Sequence, residues 1–189
     1  MTTKTKRVTL GVIMSAAIGA ITIASGVREE DAKPKLADRF EALAPLVGYE
    51  WHVNEKWADG TTLEAKTEYR VGMAGQFIVS DTWARDNGGE WYHRYHNIYV
   101  IDPNTGEHSS VGVTFDGTSS SVTFDVKKSD DGDTLIEYNS EMQGGVLRQT
   151  LEIEQDQLLW NVWMKPGGAP DFMPLMTDGV WRRGKKLDA

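Results

Sequence analysis

The chain has 189 residues, of which 40% are hydrophobic and 25% are charged, and its formal net charge is −8 at pH 7. This length and composition are typical of one globular domain, and the acidic balance argues against binding to nucleic acid or anionic membranes. The chain has no cysteine, which excludes disulfides, thiolate metal ligands, a cysteine nucleophile and the lipid-bearing cysteine of a bacterial lipoprotein.

The N-terminus has the pattern of a cleavable signal peptide over residues 1–26. Three basic residues, Lys4, Lys6 and Arg7, precede an uncharged run of apolar or small residues, and small residues at 24–26 offer a cleavage site. The run is short and weakly apolar for a membrane span. We therefore expect a periplasmic or secreted protein with no stable membrane anchor after cleavage, which would change the net charge from −8 to −11 because three basic residues are lost.

Residues 27–35 are charged, contain a proline and are predicted to form a flexible leader. A short helix is predicted next, over residues 36–46, to pack over one end of the fold that follows. Its apolar residues recur at helical spacing: Leu36, Phe40, Leu43 and Leu46. We assign residues 36–189 to a single β-barrel domain.

Strands with a period of two dominate the rest of the chain. Clusters of turn-forming residues, such as Asp59-Gly60, Asp102-Pro103 and Asp116-Gly117, separate short runs of alternating apolar and polar residues. About ten such runs are present, a number that suits a closed barrel with room inside. The sequence therefore predicts an all-β fold, an antiparallel up-and-down barrel of about ten strands preceded by a short helix.

Residues 43–51, with the sequence LAPLVGYEW, resemble the start of the first strand in calycins, the lipocalin-like superfamily. The segment is similar to that of bacterial barrels of unknown function that begin with a helix and a leucine–glycine–tryptophan stretch. The resemblance implies an antiparallel barrel with a central cavity. It also implies that Trp51 closes one end of the barrel and that a basic residue of the last strand, Arg182 or Arg183, stacks on it.

The predicted strand at residues 91–101 has a face that is more polar than a packed core requires. The odd-numbered residues continue the parity of Trp51, Tyr69 and Trp83, so we assign them to the interior. Aromatic rings interspersed with hydrogen-bonding groups are typical of a ligand site. The residues predicted to set the polarity of this cavity are Tyr69, Asp81, His93, Tyr95 and Asn97.

Asp81 and His93 are also predicted to form a pair. If Trp83 lies opposite Trp91, then Asp81 lies opposite His93, and the carboxylate can orient the imidazole as an acid, base or ligand contact. An ordinary cross-strand hydrogen bond is the alternative. His93 and His96 should point to opposite faces and so cannot share a metal; we predict no metal site and no cofactor, and we place His52 and His108 on the surface.

Three functions fit these patterns. The first is an exported lipocalin-like barrel that binds a small, partly apolar molecule in a central cavity. The second is a hydrolase or isomerase that uses Asp81 and His93, although the sequence has no HExxH, GxSxG or phosphate-loop motif. The third is a structural or interaction protein with a filled core. The pattern defines neither the ligand nor the oligomeric state.

Overall fold

The computed structural model describes residues 35–128, 133–142 and 144–188. The predicted signal peptide and all but the last residue of the predicted leader lie outside these ranges. A 3₁₀ helix, Asp38–Leu46, precedes ten strands. The strands are β1 (Tyr49–Lys56), β2 (Thr62–Val71), β3 (Ile78–Asp86), β4 (Tyr92–Ile101), β5 (His108–Thr114), β6 (Ser119–Lys128), β7 (Thr134–Met142), β8 (Gly145–Ile153), β9 (Gln157–Pro166) and β10 (Met173–Lys186). Within the described ranges, no helical segment has the length and apolar character needed to cross a membrane.

The ten strands form one closed antiparallel sheet. Each strand pairs with its neighbours in sequence, and β1 also pairs with β10, so the topology is up-and-down. The predicted fold class is confirmed. The turns occur where glycine and aspartate cluster: Gly60 and Gly117 adopt φ values of 87° and 83°, which these turns require and glycine adopts without strain.

The helix predicted before the first strand is a 3₁₀ segment and not an α-helix. The Phe40 amide donates to the Ala37 carbonyl at 2.9 Å and the Val47 amide donates to the Ala44 carbonyl at 3.1 Å, which are three-residue spacings. Pro45 has no amide to donate in the last turn. The segment still buries its apolar face, because Phe40 and two leucines pack into the end of the barrel.

Trp51 closes this end of the barrel, which we call the closed end. Its side chain has no exposed surface, and its indole Nε1 donates to the Leu46 carbonyl at 2.9 Å. The guanidinium of Arg183 lies 5.1 Å from the Trp51 ring and 4.5 Å from the Tyr49 ring. The expected cation–π stacking is therefore present, made by Arg183; Arg182 is exposed and lies opposite His52.

The inward-facing residues change from odd-numbered in β2 to even-numbered in β3. In β2 the buried residues have odd numbers, but in β3 they have even numbers: Ile78, Ser80, Thr82 and Ala84. The two strands pair in a register that places Val71 opposite Ile78, and paired residues share a face. The predicted inward direction of Asp81 and Trp83 is therefore wrong, because the connection between β2 and β3 changes the parity.

A β-bulge changes the parity again within β4. Tyr95 lies opposite Thr82, but His93 lies opposite Trp83, so Arg94 is an extra residue. As a result His93 and His96 share the outer face with Asp81 and Trp83, although they are three residues apart. Beyond the bulge the odd-numbered residues face inward, as Asn97, Tyr99 and Ile101 do.

The β1–β10 seam closes the barrel with an interrupted ladder. Direct pairing covers Trp51 opposite Arg183 and His52 opposite Arg182. Further along, the Val180 amide donates to the Glu55 carboxylate at 3.3 Å, so a side chain replaces the backbone partner. A backbone hydrogen bond from Ala58 to the Leu175 carbonyl, 2.8 Å long, rejoins the two ends.

Candidate functional site

The barrel interior contains a belt of polar side chains between two apolar clusters. One cluster lies at the closed end around Trp51 and Phe40, and the other surrounds Val53, Leu63 and Val162. The polar belt consists of inward-facing side chains from five strands: Thr67, Tyr69, Ser80, Thr82, Asn97, Tyr99, Tyr138 and Gln149. A core that only packs side chains together rarely contains so many hydrogen-bonding groups, because burying each of them costs free energy unless it finds a partner.

Most polar groups of the belt have partners inside the barrel. The hydroxyls of Thr67 and Thr82 lie 2.9 Å apart, and the indole of Trp160 donates to the Gln149 side chain at 3.0 Å. Asn97 donates to the Ser80 hydroxyl at 3.4 Å. The side-chain amide of Asn97 lies over Gly112 on the neighbouring strand. A Cβ at position 112 would overlap the Asn97 oxygen, so Asn97 fits only because residue 112 is a glycine.

Three tyrosine hydroxyls meet inside the belt. The rings of Tyr69 and Tyr99 lie 6.0 Å apart, and the Tyr99 hydroxyl lies beside those of Tyr69 and Ser80. Burial raises the pKa of Tyr69 and of Tyr138 well above the ordinary value for a phenol, and the interaction of each with Tyr99 raises it further. Burial also raises the pKa of Tyr99. All three are therefore neutral donors and acceptors at physiological pH.

One side of the interior is packed and the other is accessible. On β2 and β3 the inward-facing residues from Leu63 to Tyr69 and from Ile78 to Ala84 have at most 9% exposed surface, and Trp51 of β1 has none. On β4, β7 and β8 the inward-facing Ile101, Ile136 and Ile153 are buried, whereas five other inward-facing residues are half-buried: Asn97, Tyr99, Tyr138, Gln149 and Leu151. The polar belt therefore retains accessible surface on β4, β7 and β8.

The end of the barrel opposite the closed end, which we call the far end, contains a cluster of Tyr92, Arg94 and Tyr95. The Arg94 Nε donates to the Tyr95 hydroxyl at 3.0 Å, and its guanidinium lies 5.2 Å from the centre of the Tyr95 ring. Tyr92 donates to the Asp86 carboxylate at 3.0 Å. Tyr95 pairs with the inward-facing Thr82 and is nevertheless 37% exposed, so solvent reaches the interior at this end.

Asp81 and two histidines form a separate cluster on the outside of the barrel. One carboxylate oxygen, Oδ1, lies 2.9 Å from the Nε2 of His93 and 2.8 Å from the Nδ1 of His96. The His93 ring packs on Trp83 at 5.2 Å, and the Lys66 ammonium lies 5.2 Å from the Trp83 ring. The predicted contact between Asp81 and His93 is present, but it is diagonal and lies outside the cavity.

The remaining histidines and two clefts complete the polar surface. His52 is exposed and bonds to Glu50 at 2.7 Å, whereas His108 is half-buried against Phe124 and burial lowers its pKa. Among the described residues, no three His, Asp or Glu side chains are arranged to hold a metal ion.

Clefts of about 310 and 710 Å³ adjoin Trp91 and residues 105–107 respectively, and none of the five predicted cavity residues lines either one.

The structure thus divides the five predicted cavity residues into two groups. Tyr69, Tyr95 and Asn97 face inward, whereas Asp81 and His93 face outward. Most of the polar belt was not among the five predicted residues, and neither was Arg94 at the far end. Tyr138 could have been found from its alternation with Ile136, but the role of Arg94 depends on a bulge that leaves no clear signal in the sequence.

No protein-family model and no curated protein matches this chain. Among solved structures the chain is similar to Rv2717c from M. tuberculosis, whose crystal structure aligns with a TM-score of 0.57 and 16% sequence identity. The alignment covers 80% of this chain and 100% of that chain. At this identity the similarity shows a shared barrel fold and nothing about activity.

Proposed function

We propose that this protein binds a small, partly apolar molecule inside its barrel. The observation that carries the proposal is the polar belt with accessible surface between two apolar clusters. Apolar walls with a few placed hydrogen-bonding groups are what small-molecule sites share. Tyr69, Asn97 and Tyr138 would orient polar atoms of the ligand, and solvent access at Tyr95 indicates the route in.

We also propose that the barrel is calycin-like and works outside the cytoplasm. The stacking of Arg183 on Trp51 at the closed end supports a calycin relationship, because the resemblance in residues 43–51 implied it. The basic and apolar pattern of residues 1–26 supports export. The Asp81–His93–His96 cluster leaves the enzyme alternative as a surface site, separate from the interior.

Native mass spectrometry of the mature protein, purified from its own compartment, tests the binding proposal. The native mass should exceed the denatured mass by the mass of one small molecule, which the denaturing step releases for identification. A dye titration with N-phenyl-1-naphthylamine gives an independent readout, because this apolar dye becomes fluorescent when it leaves water.

Two matched leucine variants locate the dye. Leu147 faces inward beside Val162 and Trp160, so Leu147→Trp should reduce dye affinity by at least tenfold by filling the interior. Leu135 faces outward on β7, so Leu135→Trp should leave dye affinity within twofold. A bare native mass, together with no dye binding or with binding that Leu147→Trp does not reduce, would favour a filled core.

A further inference from the structure

The far-end cluster contains a cation, Arg94, that forms no ion pair with any of the described residues. Arg94 donates through Nε to the Tyr95 hydroxyl. Within the described part of the chain, no carboxylate forms an ion pair with its guanidinium, although Asp86 acts on it at longer range. Every other arginine near β3 and β4 is paired: Arg85 with Glu64 and Arg70 with Glu68.

The position of Arg94 makes this lack of a partner informative. Its side chain is half-buried between two inward-facing tyrosines. Burial by itself lowers the pKa of Arg94, but the contacts with Tyr95 and Tyr92 and the more distant Asp86 raise it overall, so a charged guanidinium is held at this end of the barrel. The bulge that inserts Arg94 into β4 brings the guanidinium to the cluster, and the hydrogen bond from its Nε to the Tyr95 hydroxyl holds it there. A fixed guanidinium is suited to bidentate binding of a carboxylate, sulfonate or phosphate.

We infer that Arg94 binds the acidic head group of the ligand at the far end of the barrel, so that the ligand is an amphiphilic anion. This inference rests on the proposed function, since it assigns the charge of the molecule that the interior holds. The Tyr95 hydroxyl accepts from Arg94 and is left with its own proton to donate to the same anion.

The residues at the far end suggest where the apolar part and the acidic group of such a ligand would lie. The inner side of the far end is apolar: Val53, Leu63 and Ala84 are buried there, and Tyr92 packs against them. The apolar part of the ligand would lie against this cluster and reach the polar belt, while its acidic group stays at the solvent-accessible end. The overall charge of −8 opposes anions at long range, so recognition would depend on direct contact with Arg94.

A pair of dyes that differ by one acidic group tests this inference. The probes are N-phenyl-1-naphthylamine, which is neutral, and 1-anilinonaphthalene-8-sulfonate, which has the same rings with a sulfonate. The unmodified protein should bind the sulfonate at least tenfold more tightly than the neutral dye. Arg94→Met should weaken binding of the sulfonate by at least tenfold and leave binding of the neutral dye within twofold.

Two further variants complete the experiment. Arg94→Lys keeps the positive charge but replaces the planar guanidinium with an ammonium group. It should therefore lose only part of the preference for the sulfonate dye over the neutral dye. Arg70→Met removes an exposed, paired arginine and should change neither dye. An unchanged ratio of the two affinities in Arg94→Met, with both dyes still bound inside, overturns the role of Arg94 alone. Failure of both dyes to bind the unmodified protein overturns the proposed function and this inference together.

Discussion

Asp81 imposes different protonation patterns on the two histidines that share its Oδ1. A carboxylate only accepts hydrogen bonds, so the proton must be on Nε2 in His93 and on Nδ1 in His96 when both rings are neutral. The other nitrogen of His96, Nε2, then carries a lone pair that the contact with Asp81 leaves available. An imidazole held in this way can act as a base or as a ligand contact on the outer wall.

We predict that a long-range ¹H–¹⁵N spectrum, recorded where both imidazoles are neutral, will show a protonated Nδ1 in His96 and a protonated Nε2 in His93. In Asp81→Ala the His96 proton should shift to Nε2, because the acceptor that holds it on Nδ1 is lost. His52, which bonds to Glu50 at 2.7 Å, is the internal control and should not change. An unprotonated Nδ1 in His96 of the unmodified protein would contradict the contact.

The buried phenols predict how stability depends on pH. Burial raises the pKa of Tyr69, Tyr99 and Tyr138 above the ordinary value of 10.0, so the unfolded chain loses these protons first as pH rises. The free energy of unfolding is therefore unaffected by them below pH 10.0 and falls above it. Each such phenol contributes a slope of about 1.4 kcal/mol per pH unit.

We predict that Tyr138→Phe flattens this alkaline slope by about 1.4 kcal/mol per pH unit in urea unfolding between about pH 10 and 11.5. Phe124→Leu is the matched control, since it disturbs the same cluster without removing a phenol. It should lower stability equally at each pH. A slope that Tyr138→Phe leaves unchanged would mean that this hydroxyl ionises as easily in the folded protein as in the unfolded chain.

At the scale of the elements, the connection between β2 and β3 attaches the N-terminal segment to the barrel. Gly75 has a φ of 74°, and its carbonyl accepts from the Ala37 amide at 3.0 Å. A Cβ on Gly75 would overlap the Lys35 carbonyl oxygen, so the chain passes against the glycine itself. Gly60 in the β1–β2 turn has a similar φ of 87°, but a Cβ there would meet nothing within 4 Å.

These two glycines make a matched pair for chemical denaturation. We predict that Gly60→Ala lowers the free energy of unfolding by about 1 kcal/mol, through backbone strain alone. Gly75→Ala should lower it by about 2–4 kcal/mol, because a steric clash adds to the same strain. Equal losses would show that the N-terminal segment moves aside without weakening the fold.

The same elements show why the fold could be predicted from the sequence and the site only in part. Turn residues and alternation mark each strand regardless of what it pairs with, so about ten strands and a closed barrel could be anticipated. The face to which a side chain points can be predicted only if inward and outward residues alternate without interruption along the chain. The parity change between Val71 and Ile78 and the extra residue Arg94 both interrupt that alternation. Asp81 and His93 were therefore assigned to the wrong face, whereas Tyr69 and Asn97 were assigned correctly.

At the scale of the whole molecule, the polar groups form two sites that are separated by the barrel wall. The interior contains neutral phenols, amides and hydroxyls, with Arg94 at the far end and Arg183 stacked on Trp51 at the closed end. The outer face of β3 and β4 contains Asp81, His93 and His96, flanked by Trp83 and Lys66. A variant of the outer group should therefore leave a ligand in the interior undisturbed, which allows the two sites to be studied independently.

The β1–β10 seam has a consequence for how the barrel forms. Glu55 and Val180, which meet there, are 125 positions apart in the chain. Contacts between such distant residues carry a large entropy of loop closure and slow the folding of a domain. Until β10 docks, β1 and β9 each present an unpaired edge that can template aggregation. The pairing that removes every edge from the finished barrel thus leaves the unfinished chain most vulnerable, and the yield of folded protein depends on how soon the last strand reaches the first.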